Sequence, residues 1–540
     1  MINAKYGGDS PLNATRAPRG QFSDRGGGKE AARSVSLLVV AMLVIGGSAL
    51  GGALATTQPN VFLLGFLPFV AVGALVVAYR APGAIFAAYL AIPFYKGGLQ
   101  PYLPVDITLV LALLNMLQLL FLIRSLRRSP FSPPMRRRVL IALALWTAFS
   151  APILFSVAYA VDTASALAKA ANWLFLVFLP CLAAIRIASD RRFVAQFLWG
   201  ILVIGAAVTV TGMWLLPSVG AWPNDRLRVF GNDTIRVGQA ALLVPIVTAF
   251  YVVSTANRVI RLISLGLIPF AVLVSAASGS RGPFLMLALS GILLAVRFST
   301  TRFRRPRPEP VVVYPLRLIA PVLIGLLMFF VLPISSILSY VPSTSITRLE
   351  SLSTIVGGFA NQDHSKEAPD PSTAGRLIAY QFAEGMFSRK PVLGYGTGSF
   401  AWLVSHDEPR LTWPQANAHP HNLILQTAAE YGVVGLMLLT LLLGGAFLRG
   451  VRLARDPAWN TIAVLLLFFL LCSMVSTEML DNRMLWGLVL LTLMAPDPAP
   501  LAADMHREHG RFNELDSPST RTDLADDGPQ EESRPQQEPG

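Results

Sequence analysis

Histidine and arginine are the side chains of this sequence whose placement asks for a chemical reading. Four of the six histidines, His364, His406, His419 and His421, fall between residues 341 and 422, and the other two, His506 and His509, lie near the C-terminus. His419 and His421 form an H-x-H pair able to hold zinc. No H-E-x-x-H accompanies it and Pro420 separates the two rings, so no metal is expected. Residues 391–400 (PVLGYGTGSF) place glycines at 394, 396 and 398. That is G-x-G-x-G and not G-x-G-x-x-G, without a strand-then-helix unit around it, so a tight turn is expected there and not a nucleotide cradle.

The arginines carry a sharper reading. Arg281 stands in residues 278–282 (SGSRG), between two apolar runs. Two roles compete for it, a helix-end residue reaching for the membrane surface and a ligand contact. The small neighbours leave room for a ligand and favour the second. Arg376 opens a stretch, 375–389, in which Ile378, Phe382 and Met386 recur at helical spacing while Arg376, Tyr380 and Glu384 take another face. Such a helix, apolar on one side, is expected to lie in a membrane interface. Arg226, Arg228 and Arg236 add to the group from residues 217–237. Each alone reads as a solvated loop charge. Together, planar guanidinium forks suit the oxygens of a phosphorylated lipid or an acidic glycan.

These residues need a scaffold, and composition says which. The chain is 53% hydrophobic and only 14% charged, too little polar surface to cover the several soluble domains this length would otherwise form. Apolar runs near the roughly 20 residues needed to cross a bilayer recur along it. The sequence therefore predicts an all-α, polytopic transmembrane helix bundle. Candidate spans are 35–55, 61–79, 82–95, 104–124, 139–160, 170–187, 193–216, 238–254, 259–277, 283–297, 318–340, 423–448, 459–477 and 482–495. The short ones at 82–95 and 283–297 leave a count of about 12 to 14.

The formal net charge of +13 does not point to nucleic acid, because most Lys and Arg sit in short loops between spans. The basic stretches 124–138, 186–192, 258–261, 297–307 and 449–455 read as cytoplasmic under the positive-inside rule. The domain reading follows. A disordered cytoplasmic tail covers 1–33, membrane helices cover 34–340, a large outward loop with short interfacial helices covers 341–422, further membrane helices cover 423–496, and a disordered acidic cytoplasmic tail covers 497–540. The two cysteines, Cys181 and Cys472, lie inside apolar runs, so neither a disulfide framework nor a cysteine metal site is expected.

Three segments together resemble the O-antigen ligase and polymerase family. They are residues 278–282, Gly375-Arg376 with the turn 391–400, and residues 421–435 (HNLILQTAAEYGVVG), the last being the most specific. The likeness covers about 200–495, and the N-terminal third matches only in hydrophobic character. It implies an integral bacterial inner-membrane glycosyltransferase with its site facing the periplasm. Its donor would be a glycan on undecaprenyl pyrophosphate. The acceptor would be lipid A–core for a ligase, or another lipid-linked repeat unit for a polymerase. Membrane lipids and polysaccharide-assembly proteins are its expected surroundings, and no metal, nucleotide sugar or other cofactor is implied. The family's functional positions fall on Arg281, Arg376 and His421.

Bottom-up chemistry agrees. Breaking the sugar C1–O bond leaves charge on a pyrophosphate, which Arg281 and Arg376 would stabilise, with Arg226 and Arg228 as weaker candidates. His421, a side chain that ordinarily titrates near the working pH, would take the proton of the acceptor hydroxyl. Asn422 would orient ring or sugar, and Gln426 and Glu430, one and two turns on, would line the same wet cavity. A flippase for the same lipid-linked glycan is the rival of another class. It should carry charge at mid-membrane depth, whereas here the charges gather at one face. A non-catalytic scaffold is a third reading. Ligase and polymerase are not separated by any residue.

The topology makes a direct prediction. Alkaline phosphatase fused at Ala368 should be active and the same reporter at Asp526 inactive, and the opposite pattern would remove the periplasmic site.

Overall fold

The computed structural model describes most of residues 73–100, 105–217, 226–290, 371–408 and 418–496, with Arg281 among the exceptions. The expected tails 1–33 and 497–540, the spans 35–55 and 318–340, nearly all of 61–79, most of 283–297, His364 and the basic stretch 297–307 lie outside the described residues. Residues 75–80 are helical and belong to a unit of their own; a second compact unit begins at Ala81.

That second unit is all helix among the described residues. In chain order it comprises α1 (Pro82–Leu90), α2 (Ile107–Arg128), α3 (Pro133–Phe155), α4 (Thr163–Ala188), α5 (Arg191–Leu215) and α6 (Thr234–Thr255). Then come α7 (Arg258–Ala277), α8 (Pro371–Arg389), α9 (Ser399–Asp407), α10 (Leu423–Arg452), α11 (Pro457–Cys472) and α12 (Arg483–Met494). Seven of these, α2 to α7 and α10, are long and apolar enough to cross a membrane, and α11 and α12 are shorter apolar helices. The expected all-α polytopic bundle is what the chain builds.

Local sequence sets where the helices begin. Asp162, Asp190, Asn257, Asn422, Asp456 and Asn482 each turn a side-chain oxygen onto a backbone N–H of the first turn that follows, satisfying donors that a helix start leaves unpaired. The bundle is held at its centre by rings. Trp146 stacks on Phe178 with centroids 5.7 Å apart, and Trp173 meets Trp486 edge-on at 5.6 Å. The described basic stretches converge at one end: Arg191 pairs with Asp456 at 2.9 Å, and Arg449 donates to the Ala495 carbonyl at 2.5 Å.

α10 departs from the expected continuous span. It breaks at Gly432, where φ is 62° and ψ is −156°, a region essentially reserved for glycine. In an unbroken helix the carbonyls of Ala429 and Glu430 would accept from residues 433 and 434. Here they accept from the Tyr395 N–H (3.1 Å) and the Gly396 N–H (2.8 Å), while the Val433 and Val434 N–H groups donate to Pro391 (2.7 Å) and Val392 (3.3 Å). The glycine-rich turn is thus threaded into the break and replaces the missing rungs. Gly394 (φ 67°) lies so close that a Cβ there would meet the Glu430 backbone at 2.4 Å.

The helix expected over 375–389 forms, over Pro371–Arg389, and its apolar side packs in part on protein. Ala379, Ala383 and Met386 pack with Phe400, Val404 and Ala429 of α9 and α10, flanked by Ile378 and Phe382. Short alanines let α8 approach closely, while Ile378 and Phe382 stay half-buried beside it.

Two substitutions in one helix test the break. Gly432→Ala places a Cβ 2.3 Å from the Val392 carbonyl oxygen in a glycine-only conformation and should cost at least about 3 kcal/mol, most of the folded protein being lost on fluorescence-detected size exclusion. Gly444→Ala, with open space around it, should be neutral or stabilising by about 0.5–1 kcal/mol.

Candidate active site

The end of the bundle opposite the Arg191–Asp456 pair gathers the candidate residues around the start of α10. His421 immediately precedes the cap residue Asn422 and has φ 53°, one of the left-handed non-glycine conformations that cost energy and cluster where function holds them. Its ring lies 4.1 Å from that of His419, centroid to centroid. Burial, the neighbouring His419 and the nearby Arg376 guanidinium together pull its pKa from 6.5 down to about 3. The expectation that His421 titrates near the working pH is corrected by this. In the folded protein it is a neutral imidazole over the ordinary pH range, able to accept a hydrogen bond but only weakly basic.

Arg376, from α8, is thereby brought to His421. Arg281 lies outside the described residues. The 226–230 segment is anchored where the Leu227 N–H donates to the Ala277 carbonyl at 3.1 Å, at the end of α7 and so next to residues 278–282. Arg226 is half-buried, with an enclosed Nε, and Arg228 is exposed. His406 is away from the ring pair, stacked on Trp402 at 3.9 Å. No group of three or more His, Cys, Asp or Glu stands together among the described residues.

The polar residues further down α10 are occupied structurally. Asn422 Oδ1 accepts from Ile424 (3.0 Å) and Leu425 (3.1 Å), and Gln426 Oε1 accepts from Met479 N–H (2.9 Å). Gln426 and Glu430 are each 1% exposed, so protein encloses them and they do not open to a wet cavity. Glu430 Oε2 has no hydrogen-bond partner among the described residues.

Several residues absent from the sequence reading fix this arrangement. Thr397 Oγ1 donates to the Ile153 carbonyl (2.7 Å) and lies 2.9 Å from Ser156 Oγ and 3.1 Å from the Tyr431 hydroxyl. These contacts join the turn to the end of α3. Lys169 of α4 pairs with Glu478 at 2.9 Å and lays its stem across Gly398. A lone lysine in an apolar run (ALAKAANW) was the one available signal, because a charge so placed needs a partner.

Comparison with known proteins gives this geometry a context. Residues 267–440 match the family described as O-antigen ligase. A protein of Rickettsia conorii named as a candidate polysaccharide ligase is 37% identical over 84 residues, covering 14% of this chain and 20% of that protein. A similarly named protein of Rickettsia felis is 36% identical over 76 residues, 13% of this chain and 19% of its own length. The chain therefore spans about a fifth of the length of these relatives.

The depressed pKa fixes the sign of a pH effect. Between about pH 3 and 6.5 the unfolded chain holds a proton on His421 that the folded protein excludes. Its neutral packing is therefore fully accommodated above pH 6.5, and stability falls as pH drops from there toward 3. NMR of ring-labelled histidine, assigned with His421→Gln, should show His421 neutral at pH 5. An inflection near 6.5 would contradict the burial.

Proposed function

For a chain whose residues 267–440 carry an O-antigen ligase domain, we propose that His421 and Arg376 serve the transfer of a glycan from undecaprenyl pyrophosphate to an acceptor hydroxyl at the periplasmic face of a bacterial inner membrane. The observation that carries this reading is a buried imidazole in a left-handed backbone, packed 4.1 Å from the His419 ring and within the field of the Arg376 guanidinium, at the mouth of α10. Arg376, joined by Arg281 and more weakly by Arg226 and Arg228, holds the pyrophosphate and stabilises the charge that develops on it as the sugar C1–O bond breaks. The acceptor oxygen forms the new bond to C1 from the opposite side, and its proton passes to His421.

The low pKa of the free protein suits an ordered reaction. A bound pyrophosphate offsets the field of Arg376, one of the causes that depress His421, so the imidazole gains basicity once the donor is in place. Asn422 keeps its amide nitrogen for the sugar while its oxygen caps the helix. Gln426 and Glu430 act as frame and not as contacts. The acceptor is lipid A–core or another lipid-linked glycan. Polysaccharide-assembly proteins and membrane lipids are the partners, and the chemistry assigned to these residues needs no nucleotide sugar and no metal.

Purified variants with an undecaprenyl pyrophosphate-linked donor test the assignment, donor binding and transfer being scored separately. Arg281→Ala and Arg376→Ala should lose donor binding, and Lys at either position should restore it only in part, lacking the bidentate fork. His421→Gln should bind donor normally while turnover falls about 10²–10⁴-fold. His406→Ala and His419→Ala should be much milder, and activity should persist in EDTA. Wild-type turnover in His421→Gln, or loss in EDTA reversed by a divalent ion, refutes the mechanism.

A further inference from the structure

The end of the bundle away from His421 carries a second feature, independent of the transfer reaction. α10 runs 30 residues from Leu423 to Arg452, about 45 Å at 1.5 Å per residue. Beyond its last turn lies a cavity of about 510 Å³, walled by Phe131, Met135 and Arg138 at the start of α3, Arg191 at the start of α5, and Asp456 and Trp459 at the start of α11.

Charge around this cavity does not balance. Asp456 is the single carboxylate among its lining residues, and it is already engaged twice: Oδ2 pairs with Arg191 at 2.9 Å, and Oδ1 accepts from the Ala458 N–H at 2.9 Å. Against it stand Arg138 and Arg191 in the wall. Arg449 and Arg452 occupy the last turn of α10, and Arg138 and Arg452 are close enough to Arg449 to act on it electrostatically. Apart from Ser132 and Ser189, the remainder of the wall is apolar or aromatic. A free inorganic anion would use the guanidinium side and leave the Phe131, Met135 and Trp459 side without a partner. A molecule with an anionic head and an apolar body uses both.

We propose that this cavity is a binding site for an anionic phospholipid, its phosphate held between Arg138 and Arg191 and its glycerol and first acyl carbons lying against Phe131, Met135 and Trp459. The placement agrees with the chemistry. Basic pockets between the ends of membrane helices are where acidic head groups settle, and Trp459, 4% exposed, offers an aromatic floor to the apolar part of such a molecule. The site would couple the helix starts of α3, α5 and α11 through one bound lipid, far from the reacting groups.

Native mass spectrometry of the purified full chain in detergent tests this, with phosphatidylglycerol and phosphatidylcholine added in turn. Phosphatidylglycerol should be retained in preference, and Arg138→Gln and Arg191→Gln should each weaken its retention by roughly fivefold while leaving phosphatidylcholine unaffected. Brominated phosphatidylglycerol should quench a component of the tryptophan emission that Trp459→Phe removes, a reading that holds even where an arginine variant fails to fold. Equal retention of the two lipids, or no difference in quenching between wild type and Trp459→Phe, overturns the proposal. Displacement by inorganic phosphate at equal concentration overturns it in favour of a simple anion site. Retention only by a chain cut after Pro496 overturns it in favour of the acidic tail as occupant.

Discussion

Everything at the candidate site depends on four backbone hydrogen bonds exchanged between the turn 391–396 and the break in α10. A helix that loses its rungs inside an apolar bundle leaves carbonyl and amide groups without water to satisfy them, at a cost of several kcal/mol for each group. The chain meets this by importing a second strand of backbone. Tyr395 and Gly396 supply donors to Ala429 and Glu430, and Pro391 and Val392 supply acceptors to Val433 and Val434. The exchange fixes the turn against α10, and with it α8, whose C-terminal end leads straight into that turn. Arg376 stands within electrostatic range of His421 because its helix is tethered in this way at one end and packed through Ala379 and Ala383 along its side.

Electrostatics follow from the same closeness. His421 is held neutral by enclosure and by positive neighbours, so the mouth of α10 presents a neutral hydrogen-bond acceptor within the field of the Arg376 guanidinium. Behind the turn the arrangement is reversed: Glu430 is enclosed beside the Lys169–Glu478 pair. Glu430, the costliest acid by sequence position, is 1% exposed.

Much of this was legible in the sequence, and the remainder failed for identifiable reasons. Each described span has its expected counterpart, because membrane length and side-chain caps such as Asp190 and Asp456 are local signals. The helix beginning before Arg376 was readable from periodicity. Of its expected stripe, Met386 is fully buried and Ile378 and Phe382 are half-buried, whereas the fully buried Ala379 and Ala383 were not singled out, because alanine carries little hydrophobic signal although it permits the tightest approach. The break at Gly432 was hidden. AEYGVVG reads as helix, and the partner that stabilises the interruption lies some forty residues earlier in the chain. The protonation state of His421 was equally out of reach, since it is decided by residues that only the fold brings near.

The threaded turn has a consequence for how such a protein can change over time. Hydrogen bonds between main chains make no demand on side-chain identity, so the exposed Val392 and Leu393 can be exchanged without opening the join, while Gly394 and Gly432 cannot. Two exposed side chains in this stretch, Val392 and Leu393, are thus carried on a rigid frame yet released from maintaining it. A lineage can revise the surface presented there one substitution at a time, and the distance between imidazole and guanidinium is inherited unaltered.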